Sequence, residues 1–117
     1  MVKEIQNIDD FKSAISSGKT GLVVIDFYAD WCGPCKMIAP KYAKLAEKYP
    51  NIGFYKLNSD KNETAKICEI CEISALPTFC FFKGGKYLTK MVGANDSNLE
   101  NIIIQNLPKN NIEEISA

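Results

Sequence analysis

Residues 22 to 28, Leu-Val-Val-Ile-Asp-Phe-Tyr, are apolar at both alternating positions apart from Asp26, the pattern of a strand covered on both faces. Elsewhere the period is helical. Ile8, Phe11, Ala14 and Ile15 recur at helix spacing with Gly18 as a stop, which predicts a short amphipathic helix over 8 to 17 behind a first strand near 2 to 6. Ile38, Tyr42, Leu45 and Tyr49 form one stripe, with Lys41, Lys44, Glu47 and Lys48 off it. That stripe predicts a helix over about 33 to 49, kinked by Pro40. A strand over 52 to 57 and a helix over about 61 to 71 follow. Strands at 78 to 82 and 86 to 92 meet through Gly84-Gly85, a tight-turn dipeptide that predicts an antiparallel hairpin. Leu99, Ile102, Ile103 and Leu107 mark a closing helix, with Ser97 and Glu100 spaced as a capping box. Residues 108 to 117, from Pro108 through Asn110-Asn111, read as a polar tail.

The order βαβαβαββα predicts an α/β fold with a mixed central sheet of about five strands flanked by about four helices on both faces. Parallel neighbours need helical crossovers, whereas the last pair needs only a hairpin. With 117 residues and no repeat or linker, the chain is expected to form one domain over 1 to 107, followed by the tail.

Composition narrows the chemistry. A 46% hydrophobic and 24% charged content is globular and excludes a disordered chain. The 14 basic residues cancel the 14 acidic ones, so no field favours nucleic acid or an anionic membrane. Histidine is absent, which removes the commonest general base and metal ligand and leaves cysteine, carboxylate, lysine and tyrosine. Five cysteines, an odd number, fit a reducing compartment better than a framework of paired bridges. The start Met-Val-Lys-Glu-Ile has no signal-like apolar run, and no stretch approaches the ~18 apolar residues of a membrane span. A cytoplasmic protein is expected.

Trp31-Cys32-Gly33-Pro34-Cys35-Lys36 falls where the buried strand ends and the second helix begins. In α/β sheets, sites gather at the carboxyl ends of the strands. Proline suits a first helical turn, so Pro34 fixes Cys32 at or near the N-cap. There, unpaired N–H groups and the positive end of the helix dipole stabilise a thiolate. Cysteines so placed have pKa values of roughly 3.5 to 7.5, against about 8.5 when free. Cys32 is thus the expected nucleophile. Cys35 lies three residues before Ile38 on the apolar stripe, shielded yet able to attack a mixed disulfide formed at Cys32, which makes it the resolving thiol. Asp26, a carboxylate inside an apolar strand, should have its pKa raised by burial.

At these residues the chain resembles the thioredoxin family, over about residues 2 to 107. The resemblance rests on WCGPCK, Asp26, Ala29, Met37-Ile38-Ala39-Pro40, Lys56, Pro77-Thr78 and Val92-Gly93-Ala94. It implies the thioredoxin fold and a small electron carrier of cell redox homeostasis that reduces disulfides in client proteins. Such a carrier binds no cofactor, works through a Cys32–Cys35 disulfide, and is re-reduced by an NADPH-dependent thioredoxin reductase. The resemblance further implies that Asp26 accepts, through water, the proton of Cys35, and that Lys56 tunes Asp26. It makes Pro77 cis and leaves the backbone of Leu76 free for an extended client segment. Trp31, Gly33, Pro34, Ala75, Leu76, Gly93 and Ala94 would line the docking surface around the pair.

Tyr28 stands where many members carry tryptophan, and Ala75 where bacterial members often carry glycine. Cys68-Glu-Ile-Cys71 is a second Cys-x-x-Cys segment. On a helix its Cβ atoms would be about 5 to 6 Å apart, beyond the ~3.5 to 4.5 Å of a disulfide, so these thiols are not expected to bridge. Some eukaryotic thioredoxins use extra cysteines here for regulation or dimer formation, and Cys71, six residues before Pro77, matches one of them. A monomer is expected, with an oxidised dimer through Cys68 or Cys71 if either is exposed. Cys80, among aromatics, is expected in the core. Two other readings compete: a zinc module built on both Cys-x-x-Cys pairs, whose separation exceeds the usual ~15 to 20 residues, and a thioredoxin-like domain serving as a binding subunit.

Overall fold

The computed structural model describes residues 1–17 and 21–107. Strands β1 (Lys3–Glu4), β2 (Leu22–Tyr28), β3 (Gly53–Asn58), β4 (Thr78–Lys83) and β5 (Lys86–Val92) alternate with helices α1 (Ile8–Ile15), α2 (Gly33–Lys48), α3 (Ala65–Ile70) and α4 (Asp96–Gln105). The strands form one sheet in the order β1-β3-β2-β4-β5. Pairing is parallel on the β1 and β3 side and antiparallel from β2 to β4 and from β4 to β5. This is the mixed sheet that the element order predicts.

Period-two alternation divides the central strand between two cores. Leu22 and Val24 face α2 and α4, packing with Ile38, Tyr42, Leu99 and Ile103. Val23, Ile25 and Phe27 face α1 and α3, packing with Phe11, Ala14 and Ile67. Asp26 shares the parity of Leu22 and Val24, so its carboxylate is carried on the α2 side. The hydroxyl of Tyr42, buried in α2, donates to the carbonyl of Tyr55 at 2.7 Å and so ties the helix to β3.

The turn between β4 and β5 is Gly84-Gly85, with φ of +60° and +79°. Two successive positive φ values suit a two-residue hairpin and favour glycine at both positions. Pro40 lies inside α2. The Gly18 stop and the tail from 108 onward lie outside the described residues.

Two local predictions are corrected. The cap of α4 is Asn95, whose side chain accepts the Asn98 N–H at 3.0 Å, and Ser97 already lies inside the helix. An N-cap needs extended backbone, which Asn95 has, and Glu100 is instead engaged by Lys48 and Tyr49. The segment predicted as a helix over 61 to 71 is a 3-10 turn over Asn62–Thr64 followed by the short α3. The Thr64 hydroxyl donates to the Asn58 carbonyl at 2.7 Å, pinning that turn to the end of β3.

Candidate active site

β2 ends at Tyr28, and α2 begins at Gly33, with Cys32 as its N-cap. The Cys32 backbone is extended (φ −85°, ψ 110°), its N–H donates to the Ala29 carbonyl at 3.2 Å, and Pro34 occupies the first turn. The Cys32 Sγ accepts the Cys35 N–H at 3.2 Å, the place a capping oxygen takes in other helices. A disulfide joins Cys32 to Cys35, whose Cα atoms are 5.2 Å apart. In this oxidised form both cysteines are buried alike, at 4% exposure, so the shielding expected for Cys35 extends to its partner. When the bond opens, the free N–H groups of the helix start favour negative charge on Cys32. Gly33 and Pro34 are exposed between them, and a Cβ at Gly33 would meet open space.

Asp26 is 4% exposed. Burial pushes its carboxyl up to about 7, against the opposing pull of the Lys56 ammonium, while the Glu4 carboxylate adds to the rise. Its Oδ1 has no hydrogen-bond partner among the described residues. A cavity of about 160 Å³ joins Asp26 to Cys35, with Ala39 and Lys56 on its walls. That volume is large enough for water, and the unpaired buried carboxylate oxygen offers a water one polar partner.

Sequence reasoning missed Glu4. The register places Glu4 beside Lys56 and Lys56 beside Asp26, so β1, β3 and β2 carry a row of acid, base and acid. Lys56 Nζ lies 3.8 Å from Glu4 Oε1 and 5.8 Å from the centre of the Tyr28 ring. The Tyr28 hydroxyl donates to the Glu4 carboxylate at 3.0 Å. Burial and that acceptor together push the Tyr28 hydroxyl above its ordinary range. Only strand register brings these groups together, and register is not readable from one strand alone.

The docking residues implied by the resemblance fall on the start of α2 and on the loops before β4 and after β5. The Leu76–Pro77 bond is cis. Leu76 packs on the cluster of Ala29, Cys32 and Cys35. Pro77 is buried beneath, and its carbonyl accepts the Gly93 N–H at 2.8 Å, joining this loop to the end of β5. Gly93 has φ +102°, a conformation that favours glycine. Ala75 is exposed, its carbonyl held by the Thr78 hydroxyl at 2.6 Å, and Ala94 is half-buried against the α2 and α4 core. Trp31 is 70% exposed, which excludes a core role, and its Nε1 donates to Asp60 Oδ2 at 2.6 Å. Met37 and Val92, to which the resemblance assigns no docking role, are exposed apolar residues. Asp60 was also unpredicted, since no local pattern links it to Trp31.

The remaining cysteines, Cys68, Cys71 and Cys80, are free thiols. Cys71 is 7% and Cys80 0% exposed, and Cys68 is half-buried. No three metal-ligating side chains converge among the described residues, which leaves the zinc reading without a site.

The family model for thioredoxin matches residues 2–105. A thioredoxin-like protein of Acanthamoeba polyphaga mimivirus is 50% identical over 104 residues, covering 89% of this chain and 76% of its own. Thioredoxin-2 of Saccharomyces cerevisiae is 45% identical, covering 92% of this chain and 100% of its own. The crystal structure of Malassezia sympodialis thioredoxin superposes with a TM-score of 0.80 at 42% identity, over 91% of this chain and 90% of that one. With a helix-capping Cys32–Cys35 disulfide, the chain belongs to the thioredoxin family, whose members reduce disulfides in other proteins by dithiol exchange.

Proposed function

We propose that Cys32 is the attacking thiolate, Cys35 the resolving thiol, Asp26 the proton acceptor for Cys35, and Lys56 the residue that tunes Asp26. The observation that carries this assignment is the Cys32 sulfur at the start of α2, accepting the Cys35 N–H. In the reduced protein the Cys32 thiolate attacks one sulfur of a client disulfide. A bond forms between Cys32 Sγ and that sulfur, and the other client sulfur leaves as a thiolate. Asp26 takes the Cys35 proton across the cavity, and Cys35 Sγ then attacks Cys32 Sγ. The Cys32–Cys35 bond closes and the second client sulfur departs, so two electrons have passed to the client.

The client segment docks beside Leu76, whose backbone makes no hydrogen bond to other backbone groups among the described residues. Trp31, Gly33, Pro34, Ala75, Pro77, Gly93 and Ala94 complete the contact surface. A thioredoxin reductase returns the pair to the dithiol with electrons from NADPH. The working unit is a monomeric domain over 1 to 107 in the cytoplasm, with 108 to 117 as an appended tail. No described helix is long and apolar enough to cross a membrane. Burial of Cys71 leaves Cys68 to link two chains, and only under oxidant stronger than that which closes the Cys32–Cys35 pair.

The test is NADPH oxidation in the presence of a thioredoxin reductase and a disulfide-bonded protein. Turnover that depends on this chain is expected. No turnover with reductases of several types, although Cys32–Cys35 can be reduced chemically, would instead favour a binding subunit.

A further inference from the structure

We propose that Cys71 and Cys80 form a second dithiol, which a hydroperoxide closes into a disulfide across the base of the segment carrying Leu76 and Pro77. The two sulfurs come from different elements. Cys71 is the C-cap of α3, and Cys80 lies in β4 on the face toward α1 and α3. Both belong to one buried cluster, in which the two thiols interact with each other. Lys90 brackets the pair. It is the β5 register partner of Cys80, and its ammonium reaches the carbonyls of Cys71 at 3.5 Å and Glu72 at 3.0 Å.

The two thiols are unlike, as in a nucleophile and its resolving partner. The interaction with Cys80 and the charge of Lys90 pull the Cys71 thiol down against the effect of its burial. The same interaction, together with burial, pushes the Cys80 thiol far up. Cys68 is a poorer partner for Cys71, because the two lie three residues apart at the end of one helix. Its thiol is pushed up by burial.

The chemistry balances with a hydroperoxide as oxidant. The Cys71 thiolate attacks the peroxide, its sulfur becomes a sulfenic acid, and an alkoxide or hydroxide leaves. Cys80 Sγ then attacks the Cys71 sulfur, the S–O bond breaks and water departs with the Cys80 proton. Two electrons have passed from the thiols to the peroxide. The bridge closes the loop from Cys71 to Cys80, which holds Glu72 at φ +54° and the cis Leu76–Pro77 bond. Its consequence for clients rests on the docking role proposed above for Leu76 and Pro77: the bridged form should reduce clients more slowly.

Peroxide treatment of a Cys32→Ser/Cys35→Ser variant, followed by alkylation and non-reducing peptide mapping, tests the pair with both of its own sulfurs in place. The expected result is simultaneous loss of alkylation at Cys71 and Cys80, a linked peptide, and Cys68 still alkylatable on a monomer. In a Cys80→Ala variant, Cys71 should instead run on to sulfinic acid. A bridge containing Cys68 would overturn the proposal, as would sulfinic acid at Cys71 beside an intact Cys80. So would full alkylation of both thiols at peroxide levels that oxidise the Cys32–Cys35 pair of the parent. Peroxide-treated parent, supplied with reductase and NADPH, should show a lag in client reduction that Cys71→Ala lacks. A mapped bridge without that lag removes the effect on docking. An untreated parent that reduces no client refutes the function proposed above and leaves the mapping result standing.

Discussion

Cys32-Gly-Pro-Cys35 and Cys68-Glu-Ile-Cys71 have the same spacing, and the fold sets them at opposite ends of helices. The first opens α2, where the Cys32 sulfur meets an N–H that no carbonyl can reach. The second closes α3, where the Cys71 N–H is already committed to the Ile67 carbonyl at 3.0 Å and the neighbouring groups are carbonyl oxygens. A helix start favours a thiolate and a helix end opposes it, so at Cys71 the pull toward a thiolate comes from Cys80 and Lys90 and not from the helix. Gly-Pro also leaves the first pair free to approach, whereas Glu69 and Ile70 hold the second at helical separation. Spacing therefore identifies a pair of thiols, and its place on the helix decides what the pair can do.

The largest effect expected from breaking this contrast is at the first pair. Cys32→Ser should abolish client reduction, whereas Cys68→Ser should leave the NADPH-coupled rate close to that of the parent. A Cys68→Ser variant that loses activity would mean that the second segment takes part in the chemistry.

Asp26→Asn comes next. The parent rate should rise as pH passes through about 7, where Asp26 ionises and can accept a proton, and the variant should lose that inflection. Near neutral pH its turnover should fall on the order of a hundredfold, the low end of general-base effects. Stability should move the other way. The folded pKa lies above the ordinary 3.8, so the folded state holds this proton more tightly than the unfolded chain. The parent therefore loses stability as pH climbs from about 4 to about 7, and that loss is complete above 7. Chemical denaturation at pH 8 should find Asp26→Asn more stable than the parent by as much as about 4 kcal/mol. Equal turnover with a lower unfolding midpoint would make Asp26 a structural anchor only.

Glu4→Gln sharpens the picture further. Removing this carboxylate releases Lys56 and withdraws a charge that holds Asp26 up, so the inflection of the rate should move to lower pH by under about one unit. An unmoved inflection would show that the Glu4, Lys56 and Asp26 row does not set the proton acceptor. The smallest effect is at α4. Asn95→Ala should cost about 1 kcal/mol of stability without touching client reduction, and Ser97→Ala much less, because only Asn95 caps the helix.

Much of this molecule is legible in the sequence because its signals are local. The run from Leu22 to Tyr28 announces a doubly covered strand, Gly84-Gly85 a hairpin, and Pro34 a helix start that makes Cys32 its cap. The misses are where neighbours compete or where distant strands meet. Asn95 and Ser97 are both good capping residues, and only the backbone of the loop decides between them. Thr64 ends a 3-10 turn because Asn58, on another element, offers it a carbonyl. Glu4, Lys56 and Tyr28 lie on three strands, and Cys71 and Cys80 on a helix end and a strand. Such pairs are set by register and packing, which periodicity within one segment does not encode. The cis bond before Pro77 is another case: the residues alone favour trans, and the family resemblance is what predicted cis.

The most direct test of the central claim, that the helix-start pair attacks through Cys32 and resolves through Cys35, is covalent capture. Cys35→Ser, reduced and mixed with a disulfide-bonded client, should accumulate a mixed disulfide, and mapping should place the bond at Cys32. Capture at Cys68 or Cys71, or capture by Cys32→Ser in place of Cys35→Ser, would contradict it.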